Sequence, residues 1–116
     1  MLTRQYDRFS TCFDPVSVSF SGEVRGVGKL YDISYGGCKV ESVISPALGA
    51  SVTLRFRTMA AGKPLVIRAG IVSWAIPYKY FGVKFLTLQR REERSLNHYL
   101  AFLNEWFLAS PDGQPR

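Results

Sequence analysis

The chemistry-bearing residues of this chain fall into two short motifs. Arg4 and Arg8 stand four apart at the start, and Asp32, Ser34 and Gly37 lie within the stretch Tyr-Asp-Ile-Ser-Tyr-Gly-Gly. Residues four apart point the same way in either regular geometry, since four is an even step along a strand and close to one helical turn. Fully extended, the arginine pair reaches across roughly 13 Å, enough to address two separated groups of one small ligand. A guanidinium fork matches a phosphate or the O6/N7 edge of guanine bidentately. A carboxylate such as Asp32 matches the other edge of guanine, where N1–H and the amino group both donate. The two motifs together describe a pocket for something that carries guanine and phosphate.

R-x-x-x-R followed about two dozen residues later by D-x-S-x-x-G, with a strand-like segment between, resembles the PilZ domain, a bacterial receptor family for cyclic di-GMP. Gly82-Val83-Lys84-Phe85 is similar to the strand that closes PilZ barrels, and the apolar strand containing Val72-Ser73-Trp74 sits where the family has its penultimate strand. The resemblance runs from Arg4 to about Leu103. It implies that Arg8 grips guanine, that Arg4 helps with guanine and phosphate, and that Asp32, Ser34 and Gly37 complete the site. It also implies output through a partner protein in motility, adhesion or exopolysaccharide control. Thr3 departs from the familiar pattern: the residue before the first arginine influences whether one ligand or an intercalated pair is held, and threonine leaves the stoichiometry open. The motif begins near Met1, so an effector domain ahead of it is not expected, and output would pass through the barrel surface, the N-terminal loop or the helix.

Each residue also has an ordinary structural reading. Asp32 can cap its own turn, and Ser34 can close that turn through its hydroxyl instead of donating to phosphate or guanine. Gly37 supplies either a positive φ or a close backbone approach, a duty shared by Gly36. Trp74 is a candidate to stack on or line a guanine face or, at least as readily, simply a large barrel residue.

The elements that must position these residues follow from periodicity. Val16, Val18 and Phe20 alternate with Ser17 and Ser19; Val52, Leu54 and Phe56 alternate with Thr53, Arg55 and Arg57. Further strands are predicted around Val27–Tyr31, from Cys38 to Glu41, from Leu65 to Ile76 with a phase slip near Gly70, and from Phe81 to Phe85. Leu96, Leu100, Leu103 and Phe107 recur at helical spacing, with Glu92 and Glu93 at the favourable end. The expected fold is all-β with a C-terminal helix: a small antiparallel six-stranded β-barrel over residues 1–109. Residues 1–11 form a ligand-binding loop, mobile in the free protein, residues 90–108 the helix, and residues 110–116 a disordered tail.

Composition narrows the function. The chain has 116 residues, enough for one core without disulfide or metal support. Its net charge of +6 suits an anionic partner without choosing one. No apolar run approaches the roughly 20 residues of a membrane span and no leader is visible, so a cytoplasmic location is expected, with Cys12 and Cys38 as free apolar fillers. Gly26-Val27-Gly28-Lys29 lacks phosphate-loop spacing. One histidine, His98, and no paired carboxylates leave no nucleophile, general base or metal set to assemble. A receptor rather than an enzyme is expected, with cyclic di-GMP as ligand, no cofactor, an effector protein as partner, and a monomer or weak dimer. The alternatives are a small basic nucleic-acid-binding barrel, against which the core phase of most aromatics argues, and a ligand-free PilZ-type adaptor, against which the complete motif argues.

Overall fold

The alternating segments close on one another as a barrel. The computed structural model describes residues 9–10, 16–57 and 65–108. Its elements are β1 (Phe9–Ser10), β2 (Ser17–Gly22), β3 (Gly26–Ile33), β4 (Gly37–Glu41), β5 (Ser51–Arg57), β6 (Leu65–Ile76), β7 (Tyr80–Thr87) and α1 (Arg90–Leu108). Arg4, Arg8, Cys12 and the tail from Ser110 lie outside the described residues.

All pairings are antiparallel, in the order β3-β2-β5-β6-β7-β4, and β4 pairs back onto β3 so that no long edge is left open. The expected six-stranded barrel with one C-terminal helix is therefore the observed fold. The inward positions are those the alternation marks: Val16, Val18, Phe20, Val52, Leu54, Phe56, Phe81, Val83 and Phe85 are all buried, with Leu30, Ile33, Cys38 and Val40. Burying each such side chain contributes about 1.5–3 kcal/mol, which is what drives closure. Helix α1 lies against β6 and β1 and buries Leu96, Tyr99, Leu100 and Leu103.

Four register shifts separate the real barrel from simple alternation. The first falls at Arg68–Ala69, beside the expected slip at Gly70, where Leu54 pairs with Ile67 but Val52 with Gly70. It frees the Arg68 amide from the ladder, and that amide donates to Glu92 Oε2 at 2.9 Å. Glu92 Oε1 accepts from the Gln89 amide at 2.8 Å, so this buried carboxylate both caps α1 and ties it to β6. The second shift lies between Ala69 and Gly70 against β7, where Leu86 is the extra residue, the third between Leu30 and Asp32, and the fourth between Val72 and Trp74. The third and fourth each re-aim a side chain, with consequences for the site.

Phe9 and Ser10, expected in a loop, form a short strand instead. Phe9 pairs with Ile33 and Ser10 with Asp32. Strand β2 leaves the edge of β3 after the Ser17–Lys29 pair, and β1 takes over the backbone groups left exposed there. Two residues are too few to show a period, so the sequence could not reveal it.

Candidate ligand-binding site

The β3–β4 corner carries four of the expected site residues: Asp32 near the end of β3, Ser34 and Gly36 in the turn, and Gly37 at the start of β4. The Ser34 amide donates to the Gly37 carbonyl at 2.8 Å, the Gly36 amide donates to Ser34 Oγ at 3.2 Å, and Ser34 Oγ donates to the Gly37 carbonyl at 3.4 Å. The hydroxyl of Ser34, which is buried, thus closes its own turn. A further bond, from the Phe85 amide to the Gly36 carbonyl at 2.9 Å, clamps the turn to β7. Of the two reasons considered for Gly37, close approach is the operative one. Among the described residues the glycine with positive φ is Gly49, whereas a Cβ on Gly37 would collide with the Val83 carbonyl oxygen and stand 3.3 Å from its carbon. Cys38 is buried, as expected of an apolar filler.

Beside this turn the outer wall of the barrel presents a row across four strands. Asp32 pairs with Lys39, Lys39 with Gly82, and Gly82 with Trp74. At about 4.8 Å per strand the row extends roughly 14 Å from Asp32 to Trp74. Two of the register shifts create it. Because Tyr31 is an extra residue in β3, Tyr31 and Asp32 are both half-buried on the outer side, between inward-facing Leu30 and Ile33. Because Ser73 is an extra residue in β6, Trp74 leaves the inward phase of Val72 and stands 37% exposed. Trp74 is thus a large residue of the barrel's outer wall. Its indole lies over the bare backbone of Gly82, where a Cβ would collide with Nε1 and Cε2 and stand 2.6 Å from Cδ1.

The middle of the row is an aromatic enclosure. Lys39 Nζ lies 4.1 Å from the Tyr31 ring centroid, 4.3 Å from that of Tyr80 and 5.9 Å from that of Trp74. Tyr31 and Tyr80 meet edge to face with centroids 5.6 Å apart. Sequence reasoning missed Tyr31, Lys39, Tyr80 and Gly82. Gly82 alone left a signal, since a glycine inside an otherwise apolar strand marks a close approach.

The structure brings Asp32, Ser34, Gly36 and Gly37 into one corner, with Trp74 at the far end of the same wall. Strand β1 runs beside Asp32, and Arg4 and Arg8, which precede it, lie outside the described residues. Among the described residues there is no cluster of three potential metal ligands, and His98 is exposed on α1. No helix in the described residues is long and apolar enough to cross a membrane.

The family model for the PilZ domain matches residues 2–102. No curated protein sequence matches the chain. Among solved structures, the chain is similar to the PilZ domain of YcgR from Escherichia coli with c-di-GMP, with TM-score 0.77, 17% identity, and coverage of 96% of this chain and 98% of that one. It is similar to the Bacillus subtilis inhibitor of motility MotI/DgrA, with TM-score 0.66 and 21% identity, over 90% of this chain but 54% of that longer one. The PilZ domain of CeSA from a cellulose-synthesizing bacterium aligns with TM-score 0.65 and 17% identity, over 84% and 98% of the two chains. These identities speak for the fold, and the match over residues 2–102 for the family. The chain belongs to the PilZ domain family.

Proposed function

We propose that this protein is a cyclic di-GMP receptor that binds the ligand without turning it over, holds it between the arginines of the N-terminal segment and the β3–β4 corner, and signals to a partner protein. The observation that carries the reading is the pairing of Ser10 with Asp32. Arg8 precedes Ser10 by only two residues in the sequence, which supports a site shared with the carboxylate and the Ser34–Gly37 turn. Asp32 sits on a strand held on both sides, so its side of the site is rigid before any ligand arrives. Trp74 offers a half-exposed ring to stack on a base, and the YcgR PilZ domain, which shares the fold, was solved with the same dinucleotide. The ligand closes the N-terminal segment over the barrel, and the surface so formed is what an effector of motility, adhesion or exopolysaccharide production would read.

Ser34 supports this role through shape as much as through its hydroxyl. Its proton is committed at only 3.4 Å, a long bond that a phosphate oxygen could replace, while its oxygen keeps the turn tight.

Nucleic-acid binding keeps one specific argument. Phe20, Phe56, Phe81, Phe85 and Tyr99 are buried in the core, but Tyr31, Tyr80 and Trp74 surround a lysine on one outer face. Salt dependence separates the readings, because a polyanion contacting many cations loses affinity with salt much more steeply than one dinucleotide does. Calorimetric titration tests the proposal. Cyclic di-GMP should bind in preference to GTP and cyclic di-AMP, since adenine reverses the donor pattern that Asp32 and the arginines match. Arg8→Ala should weaken binding roughly 10- to 150-fold, the loss expected for charge-assisted hydrogen bonds. Arg8→Lys should recover little, because a point charge does not reproduce a planar fork. Equal affinity for cyclic di-AMP, or an Arg8→Ala variant that stays folded and titrates like the parent, would refute the reading.

A further inference from the structure

Among the described residues the ammonium of Lys39 faces aromatic rings but no anion. It lies 4.1 and 4.3 Å from the centroids of Tyr31 and Tyr80, within reach of the Trp74 ring. Cation–π attraction to two rings holds the ammonium in place, so much of the rotamer freedom of a surface lysine is already lost. Yet among the described residues no carboxylate stands within ion-pair distance of Lys39, and the ion pair that is formed there joins Arg68 to Glu92. Aromatic faces satisfy charge but accept hydrogen bonds poorly, and an ammonium has three donors. A cation fixed in advance, beside Asp32 in register and short of acceptors, is suited to receive an anionic oxygen at no further ordering cost.

We propose that Lys39 is a phosphate-contacting residue of the ligand site, holding a phosphodiester oxygen of the cyclic dinucleotide against the barrel wall while Tyr31 and Tyr80 act as its positioning residues. The inference rests on the cyclic di-GMP reading and adds to it a charge on the barrel side, where the two motifs supply only a carboxylate. The arginines then need not neutralise both phosphates of the ligand. Lys39 also explains the register shift in β3: without the extra residue, Tyr31 and Asp32 could not share the outer face with it.

The test is calorimetric titration of the full chain with cyclic di-GMP at salt concentrations from about 50 to 500 mM, a range over which the Debye length falls severalfold. Lys39→Met keeps the apolar stem, and Lys39→Arg keeps a cation able to stack between tyrosines. Lys39→Met should bind roughly tenfold more weakly than the parent at low salt, with the gap narrowing as salt rises, and Lys39→Arg should restore most of the loss. Binding by Lys39→Met within about twofold of the parent, while Arg8→Ala is impaired, would overturn the Lys39 assignment and leave the ligand reading standing. A Lys39→Met loss that salt does not alter would also overturn it, pointing to a neutral contact with the base. Absence of binding by the parent would overturn the ligand reading itself, and this assignment with it.

Discussion

Gly82→Ala probes the far end of the site without touching any charged group. The new methyl would collide with Nε1 and Cε2 of Trp74 and stand 2.6 Å from Cδ1, where carbon–carbon contacts ordinarily begin near 3.5 Å. The indole must therefore move by about 1 Å or more. Its 37% exposure gives it room to swing outward, so the cost to stability should sit at the low end of the about 1–3 kcal/mol typical of overpacking. About 1 kcal/mol would lower Tm by roughly 4 °C in a domain of this size. Binding should suffer more. A base stacked on an aromatic ring gains about 1–3 kcal/mol, so a displaced indole should weaken cyclic di-GMP roughly 5- to 150-fold. The chain has two tryptophans, so a Trp106→Phe background isolates the emission of Trp74, which should shift to the red as the ring leaves the wall. If Gly82 acts through Trp74, the two substitutions are not additive: Gly82→Ala should cost little further affinity once Trp74→Ala is present. Unchanged emission and affinity in Gly82→Ala, or full additivity with Trp74→Ala, would refute the reasoning.

Amide hydrogen exchange should show Arg4 to Arg8 and Asp32 to Gly37 gaining protection with cyclic di-GMP, with little change from Val52 to Phe56; full protection of the Arg4–Arg8 amides without ligand would rule out closure as the switch. Glu92→Ala should destabilise the fold by about 3 kcal/mol, roughly 1 for the lost helix cap and about 2 for the Arg68 amide left without its acceptor, read as a fall in urea midpoint at constant slope. Exposed Glu93→Ala is the control, and equal midpoints for the two variants would contradict the role given to Glu92.

Closed-barrel architecture was legible in the chain because a half-buried strand must alternate. Val16, Val18 and Phe20, and again Val52, Leu54 and Phe56, declare which side of each strand is inside without reference to any neighbour. The helix was equally legible, since Leu96, Leu100 and Leu103 repeat at a spacing that only a helix brings onto one face. Asp32, Ser34 and Gly37 could be singled out for a related reason: a turn motif is local, and its residue types are dictated within six positions. What alternation cannot express is its own interruption. Carried on from Val72, the period sends Trp74 into the barrel, and only the pairing of β6 with β7 places the extra residue at Ser73 and turns the indole out over Gly82. Carried through β3, it separates Tyr31 from Asp32 on opposite faces, and only the pairing with β4 sets both beside Lys39. A register shift is a property of two strands, chosen by which partner groups can hydrogen-bond and which side chains fit across the gap. The single chain therefore determined the barrel, the helix and the turn that holds Asp32, while the wall joining Asp32 to Lys39 and Trp74 exists only because distant strands meet in that register.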